Sequence, residues 1–203
     1  MDAEASYEAP APMETSCSNF VVVFGPPGSG KGTQAAILAE KLGIPAISTG
    51  AMLRDAVAEG SELGHRVEEI MNSGALVDDA TMTDVLRARL IRQDSQEGFL
   101  LDGYPRTIEQ AETLDRILAD MDSAVGAVLM IRVPDEELIR RIVSRGRADD
   151  TAEVAATRLS VYREKTAPVL RIYEDRGVLH EIDGNRPIKA VTESLVGSLE
   201  GCN

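Results

Sequence analysis

A glycine-rich stretch that contains Lys31 is the part of the chain best suited to chemistry. Residues 25–33 read Gly-Pro-Pro-Gly-Ser-Gly-Lys-Gly-Thr, the Gly-x-x-x-x-Gly-Lys pattern of a phosphate-binding loop. Glycines at positions 25, 28 and 30 let the backbone N–H groups point inward, and Lys31 can reach the β and γ phosphates of a nucleotide. Gly32 stands where Ser or Thr normally contacts Mg²⁺, with Thr33 one residue later. The stretch therefore predicts a phosphate site without the usual loop hydroxyl for direct Mg²⁺ ligation.

Asp102 is the residue that could hold the metal instead. It ends a predicted buried strand and is followed by Gly103, so its carboxylate is expected at the same edge of the sheet as the phosphate loop. An acidic residue at that edge can hold Mg²⁺ through water. A strand-end aspartate can also simply cap a turn. The neighbouring phosphate loop favours the magnesium role.

Basic residues concentrate in the predicted ligand segments of a chain that is otherwise acidic. Arg141 and Arg145 are spaced i,i+4 on one helix, where like charges repel unless an anion lies near them. Glu137 could instead form an ordinary i,i+4 ion pair with Arg141. Seven of the 21 basic residues lie in or beside these segments: Lys31, Arg54, Arg106, Arg141, Arg145, Arg147 and Arg158. This distribution predicts a focused anion site.

Two polar residues allow both a structural and a ligand-binding role. Thr107 and Gln110 fit a capping box, in which the glutamine only ties a helix N-terminus together. The Gln110 amide could instead pair with the edge of an adenine. Thr49 could cap the helix that carries Arg54, or it could bond a ligand. The residue types alone leave both roles open for each.

Alternating strands and helices would position these residues. Short apolar runs predict strands within 20–24, 43–48, 98–102, 125–133 and 178–182. Helical periodicity predicts helices after 30 and after 107, and over 51–59, 63–72, 80–92, 134–145, 151–176 and 188–199. This order is typical of an α/β fold with a five-stranded parallel sheet flanked by helices, whose ligands bind at the carboxyl ends of the strands.

The composition indicates one globular domain, with a second small lobe possible, in a chain of 203 residues. A net charge of −13 speaks against nucleic-acid or anionic-membrane binding. No apolar run approaches the roughly 20 residues that span a bilayer. Cys17 and Cys202 lie outside any C-x-x-C spacing, which excludes a zinc ribbon and fits a reducing compartment. Residues 1–18 are predicted to be a disordered acidic extension.

Five blocks of sequence, in order, resemble the adenylate kinase family. They are Gly-Pro-Pro-Gly-Ser-Gly-Lys-Gly-Thr-Gln34, Ser48-Thr-Gly, Asp102-Gly-Tyr-Pro-Arg-Thr107, Gly146-Arg-Ala-Asp-Asp150 and Arg158-Leu-x-x-Tyr162-x-x-x-Thr166-x-Pro168. The resemblance implies a phosphate-loop nucleoside monophosphate kinase domain over 19–203, with a helical acceptor lobe at about 48–77 and a short lid at about 144–150. It also implies reversible, Mg²⁺-dependent conversion of ATP and AMP into two ADP by a cytoplasmic monomer.

The resemblance further implies roles for individual residues. Those expected to bind ATP are Gly28, Ser29, Gly30, Lys31, Gly32, Thr33, Arg141, Arg145 and Arg186. Those expected to bind AMP are Thr49, Arg54, Ala75, Leu76, Val77, Gly103, Tyr104, Pro105, Arg106, Gln110, Arg147 and Arg158. Asp102 would hold the hydrated magnesium ion. The residues expected to act in catalysis are Lys31, Arg106, Arg145, Arg147 and Arg158.

Two departures from the family pattern bear on these expectations. Ala51 stands where the family usually has Asp, which would weaken the support of the acceptor lobe without removing a ligand. Only Gly146 separates Arg145 from Arg147, so the long lid insertion with its occasional zinc-binding cysteines is absent and no zinc is expected.

Two alternative functions remain. One is a UMP or CMP kinase of the same architecture. Gln110 favours AMP over a pyrimidine nucleotide as acceptor, and so does Thr107, because related pyrimidine-nucleotide kinases typically have Asn at that position. The other is an inactive module that senses adenylate levels. Such a module is expected to lose Lys31 or the lid arginines, and none is lost here.

Overall fold

A five-stranded parallel sheet forms the centre of the molecule. A computed structural model of the chain describes residues 19–147 and 150–200. The strands are β1 (Phe20–Phe24), β2 (Ala46–Ser48), β3 (Phe99–Asp102), β4 (Ala127–Arg132) and β5 (Leu179–Asp183). They lie in the order β2-β3-β1-β4-β5, and every neighbouring pair is parallel. The predicted fold class is confirmed.

Helices connect the strands and cover both faces of the sheet. They are α1 (Lys31–Leu42), α2 (Thr49–Ala58), α3 (Glu62–Ser73), α4 (Asp79–Leu90), α5 (Ile108–Ala119), α6 (Asp135–Arg145), α7 (Ala152–Val161), α8 (Leu170–Asp175) and α9 (Ile188–Glu200). A short 3₁₀ turn, Gln93–Ser95, follows α4. The helices α2 and α3 make up most of the segment predicted to be the acceptor lobe.

Strand β1 is buried along its whole length because it lies between β3 and β4 and is covered on both sides. Its side chains alternate between faces, as those of any strand do. Phe20, Val22 and Phe24 pack in the larger apolar cluster, with residues of α4 and α5. Val21 and Val23 pack on the opposite face, with residues of α1 and α9. This two-sided burial explains why the strand reads as an unbroken apolar run.

The sheet register brings three strand ends to one edge. Asp102 of β3 pairs with Val23 of β1 on one side and with Ser48 of β2 on the other. The chain segments that leave β1, β2 and β3 therefore start side by side. The expectation that Asp102 and the phosphate loop share an edge is confirmed.

The prediction of one regular helix over 151–176 is wrong in its middle. Between α7 and α8 the backbone forms a π-helical turn, Tyr162–Thr166, and a 3₁₀ turn, Ala167–Val169. Pro168 has no N–H to donate, and its ring would clash with the carbonyl four residues earlier in a regular α-helix. The N–H of Ala167 reaches back five residues to the carbonyl of Tyr162 instead.

Some predictions lie outside the described residues, namely the acidic extension at 1–18, both cysteines, and positions 148–149 of the predicted lid. In the part of the chain that the structure does describe, none of the helices has the length and apolar character needed to cross a membrane.

Candidate active site

The phosphate loop has the backbone conformation that its glycines predict. The φ angles of Gly28 and Gly30 are 84° and 93°, in the left-handed region that glycine adopts without strain. A Cβ at Gly28 would lie 2.7 Å from the carbonyl oxygen of Leu138, so α6 packs directly against the loop. Gly30 is the N-cap of α1 and supplies no side-chain cap. The first N–H groups of α1 are therefore available to an anion.

Lys31 begins α1 and turns its ammonium group back over the loop. Its Nζ donates to the carbonyl oxygens of Gly25 at 2.7 Å and Pro26 at 2.9 Å. Burial lowers the pKa of Lys31 from 10.5 to about 8, and the positive charges of Arg106 and Arg145 act in the same direction, while Asp102 opposes them. A phosphate group at this position would place a negative charge beside the ammonium group and so favour its charged form.

Asp102 lies directly beside the loop. Its Oδ2 accepts a hydrogen bond from the Ser48 hydroxyl at 3.1 Å, and a Cβ at Gly32 would lie 3.5 Å from the same oxygen. The absence of a side chain at Gly32 thus lets the carboxylate come close to the start of α1. The sheet edge presents a carboxylate and an ammonium group together, with Lys31 and Asp102 close enough to interact electrostatically.

The carbonyl oxygen of Gly103 organises the next part of the site. It accepts from the Arg106 Nε at 2.7 Å and from the Thr49 hydroxyl at 3.0 Å. Burial lowers the pKa of Arg106, with a further contribution from the charge of Arg158. The capping role considered for Thr49 belongs to Ser48, whose hydroxyl accepts from the Ala51 N–H at 3.4 Å at the start of α2. Thr49 instead ties α2 to the loop that carries Arg106.

Two lid arginines converge on the buried carboxylate of Asp150. Arg145 donates to its two oxygens at 2.8 and 2.6 Å, and Arg158 donates to Oδ1 at 3.2 Å. Burial acts to raise the pKa of Asp150, but hydrogen bonds from Arg145 and from the Arg147 N–H, with the nearby positive charges, lower it overall. The arginines at the end of α6 and within α7 are therefore drawn together.

Arg141 has the ion pair that the sequence allowed. Its Nε donates to Glu137 at 2.6 Å, and both terminal nitrogens lie within 3.3 Å of the Gly184 carbonyl oxygen. Hydrogen bonds from Arg140 and then from Arg141 lower the pKa of Glu137 to about 2. Arg141 also lines the cavity, so its ion pair with Glu137 does not remove it from the site.

Gln110 takes part in the start of α5 in a modified form of the capping box, and the adenine-binding role stays a prediction. Thr107 caps α5, with its hydroxyl accepting from the Gln110 N–H at 3.2 Å. The Gln110 side chain does not return to the Thr107 N–H of a standard capping box; its Oε1 accepts from the Arg106 N–H at 2.7 Å. Its amide also remains on the cavity wall.

Most of these groups line one cavity of about 870 Å³, which is near the upper end of the range for small-molecule sites; Asp150 and Glu137 lie outside its wall. The wall includes every residue expected to bind a nucleotide except Ser29 and Arg186. Ser29 is buried behind the loop, and its N–H donates to the Pro26 carbonyl. Arg186 is exposed and donates to the Ser194 hydroxyl. The structure therefore brings the two predicted nucleotide sites together but leaves these two side chains outside.

Comparisons with known proteins agree on one family. The chain is 48% identical over 184 residues to the adenylate kinase of Thermobifida fusca, an alignment that covers 89% of this chain and 97% of that one. It is 45% identical over 175 residues to adenylate kinase 1 of Synechocystis sp., covering 86% and 94% of the two chains. A sequence model of the adenylate kinase family matches residues 23–178. The chain belongs to the adenylate kinase family.

The adenylate kinase match contains every expected site residue except Arg186, which lies beyond its end. Three side chains inside it were not assigned a role from the sequence. Ser48 holds Asp102, Asp150 holds the lid arginines, and Asp79 holds the Gln110 amide. Asp150 could have been found as the last acidic residue of an arginine-bearing block. Asp79 had no such signal, because its partner lies 31 residues away.

Two residues of the π-helical turn, Tyr162 and Thr166, also line the cavity. Burial raises the pKa of Tyr162 to about 12, so its hydroxyl stays protonated at neutral pH.

Among residues 19–147 and 150–200, no group of three or more His, Cys, Asp or Glu side chains could together hold a metal ion. The expected absence of zinc stays a prediction.

Proposed function

We propose that this adenylate kinase transfers the γ-phosphoryl group of Mg²⁺-bound ATP reversibly to AMP, forming two ADP. The observation that carries the proposal is that Lys31 of the phosphate loop and arginines of α2, of the loop after β3, of α6 and of α7 line the same cavity. The names of the relatives point to the same reaction. The names of the relatives do not favour a UMP or CMP kinase of the same fold or an inactive sensor.

The donor nucleotide is assigned to the phosphate loop and α6. The loop backbone from Gly28 to Thr33 and the ammonium of Lys31 would hold the phosphates, because N–H groups and a cation converge there. Arg141 would lie against the base and Arg145 against the phosphates. Arg186 and Ser29 keep the donor-site roles expected from the resemblance only through their backbones, since their side chains lie outside the wall.

The acceptor nucleotide is assigned to the opposite half of the cavity. Its phosphate would meet Arg54, Arg106, Arg147 and Arg158. Its base would lie near Gln110 and the segment from Ala75 to Val77. Thr49 and the segment from Gly103 to Pro105 would complete this half of the site. Each of these residues lines the cavity.

Asp102 is the proposed holder of the magnesium ion. Mg²⁺ prefers oxygen ligands and keeps several of its waters, which suits one carboxylate beside a phosphate loop. When bound, the ion neutralises charge on the phosphate oxygens. The Ser48 hydroxyl donates to one carboxylate oxygen and would help to hold the group in place beside the loop.

The residues act by positioning and by charge. The acceptor phosphate is already ionised and needs no general base to attack in line. Lys31 and the arginines hold the two phosphate chains end to end and offset the charge that spreads over the moving group. A transition-state arginine can contribute on the order of 10³–10⁵ in rate.

Two parts of the chain are proposed to close over the substrates: the helical lobe at about 48–77, and the short lid at about 144–150, of which the structure describes 144–147 and 150. Closure would expel water, the competing acceptor.

We also infer that the protein acts as a cytoplasmic monomer, as the resemblance implies. Sedimentation that gives a mass well above 21.8 kDa would contradict the monomer.

The test is ADP formation from equimolar MgATP and AMP, with CMP and UMP as alternative acceptors in the same coupled assay. We expect AMP to be used with a kcat/KM at least about 10²-fold above the pyrimidine nucleotides, since Gln110 suits an adenine edge. Preference for CMP or UMP would establish the alternative kinase. A folded protein that binds ATP but forms no ADP would establish the sensor.

A further inference from the structure

Asp79 contacts the cavity residue Gln110 but has no part in the proposed phosphoryl transfer. It is the first residue of α4 and is half-buried. Its Oδ1 accepts from Nε2 of Gln110 at 2.7 Å, and its Oδ2 accepts from the Thr107 hydroxyl at 2.8 Å. Both oxygens are therefore used on the first turn of α5.

The contacts of Gln110 determine which way its amide group faces. An ionised carboxylate only accepts hydrogen bonds, and a backbone N–H only donates them. The nitrogen of the amide must therefore face Asp79, and the oxygen must face the Arg106 N–H, 2.7 Å away. A turn of 180° would place oxygen against carboxylate and nitrogen against N–H. The side chain is only 2% exposed, so water cannot easily replace the lost bonds.

The fixed amide still has bonding capacity. An amide offers two N–H donors and two acceptor lone pairs, and Gln110 uses one of each on Asp79 and Arg106. One donor and one acceptor remain for a ligand. A 6-amino purine presents an amino donor beside a ring-nitrogen acceptor, whereas a 6-oxo purine presents the reverse pair. Only one of these bases matches a given amide orientation.

We propose that Asp79 is a positioning residue that fixes the Gln110 amide and thereby makes the acceptor site select a 6-amino purine over a 6-oxo purine. This rests on the proposed function, in which Gln110 faces the base of the acceptor nucleotide. The hydrogen bond to Asp79 is charge-assisted and is therefore stronger than one between neutral groups. It is the contact that contributes most to holding the orientation.

The experiment compares AMP with IMP, its 6-oxo counterpart, as acceptors for the full-length protein. In Asp79→Ala the amide is held only by the Arg106 N–H and can turn. We expect the ratio of kcat/KM for AMP to that for IMP to fall about tenfold, the scale of one base-edge pairing. The KM for AMP should rise, while kcat at saturating AMP stays within about twofold, since the phosphates are held by other residues.

Asp78→Ala is the matched control. Asp78 is the preceding acidic residue, and its Oδ1 caps α4 by accepting from the Thr81 N–H at 2.9 Å. Its loss removes the same charge from the same helix start and costs about 1 kcal/mol of stability, but it does not touch Gln110. A purely structural role for Asp79 would make the two variants alike. The proposal requires that only Asp79→Ala changes the AMP-to-IMP ratio.

The failures can be told apart. A wild-type protein that does not phosphorylate AMP would contradict the proposed function itself. If the wild-type protein prefers AMP and Gln110→Ala loses that preference, an unchanged ratio in Asp79→Ala would overturn only the role of Asp79. Should Asp79→Ala not fold, Asp79→Ser serves instead, because a hydroxyl both donates and accepts and so does not force one orientation of the Gln110 amide. An unchanged ratio in that variant overturns the proposal equally.

Discussion

At the scale of single residues, the site is a set of clustered cations, several of them half-buried, that an anion would stabilise. Burial lowers the pKa values of Lys31 and Arg106, because charged groups lose hydration there. The carboxylate of Asp102 offsets part of that cost for both groups. The phosphates of two nucleotides would offset the rest, so binding energy and catalytic charge stabilisation come from the same groups.

Arg106→Ala should lower kcat at least about 10²-fold while the protein remains folded. Arg106 lines the cavity and is proposed to meet the acceptor phosphate, so its loss should remove charge stabilisation from the transferred group. Steady-state ADP formation, with circular dichroism to check folding, measures the effect. Near-normal turnover in a folded variant would remove this arginine from the mechanism.

The kcat/KM for MgATP should decrease as pH rises through about 8. Lys31 has a pKa of about 8 in the free protein, so its ammonium is present below that pH and is lost above it. The kcat should change less, because bound phosphate raises the lysine pKa. Rates from about pH 6 to about pH 10 test this. In Lys31→Arg the step near pH 8 should vanish, and its persistence would assign it to another group.

Asp150→Asn should destabilise the protein by about 1–3 kcal/mol and lower kcat about tenfold, because Arg145 and Arg158 lose a buried charged partner. Urea unfolding and steady-state kinetics measure the two effects. Asp135→Asn is the control, since its ion pair with Arg163 is more than half exposed and contributes little. Equal stability of the two variants would contradict the prediction.

At the scale of elements, each part of the site is held by a specific contact between neighbouring elements. Helix α6 packs on the phosphate loop at Gly28, and Thr49 links α2 to the loop after β3. Within the proposed acceptor lobe, α2 and α3 cross closely, because Gly64 has no side chain. A Cβ there would lie 2.1 Å from the Ala56 carbonyl oxygen.

Gly64→Ala should therefore separate α2 from α3, destabilise the protein by about 1–3 kcal/mol and raise the KM for AMP. The close atoms belong to the backbone and cannot move aside as a side chain would. Gly197→Ala in α9 is the control, because a Cβ there meets nothing within 4 Å and alanine favours a helix. Urea unfolding and the KM for AMP measure the two effects. Equal stability of both variants would contradict the close crossing of α2 and α3.

At the scale of the whole molecule, an acidic protein with a net charge of −13 carries a concentrated cationic cavity. Oriented positive groups in a cavity attract anionic ligands in spite of the net charge. The cavity is built from the phosphate loop, the two lobe helices, the loop after β3 and the arginines of α6 and α7. Under the proposed function, both nucleotides are required to bring all of these parts into contact with phosphate.

ATP hydrolysis without AMP should therefore be at least about 10²-fold slower than ADP formation with AMP, because closure that excludes water requires the acceptor. Release of inorganic phosphate from MgATP, with and without AMP, measures this directly. Rapid release without AMP would indicate an ATPase.

The sequence alone was enough for the sheet, the phosphate loop and the cationic character of the site. These depend on patterns within short segments, such as the apolar run at Phe20–Phe24 and the spacing of the glycines before Lys31. Local patterns of this kind reflect backbone geometry that neighbouring residues impose on one another.

Only the tertiary structure decided which of the possible partners each polar side chain takes. Ser48 rather than Thr49 caps α2, Gln110 bonds Asp79 and the Arg106 N–H, and Asp150 draws the lid arginines together. The interruption of the predicted helix around Pro168 also emerged only there. A hydrogen bond or ion pair between residues distant in sequence depends on how the elements pack, and no spacing rule within one segment specifies that arrangement.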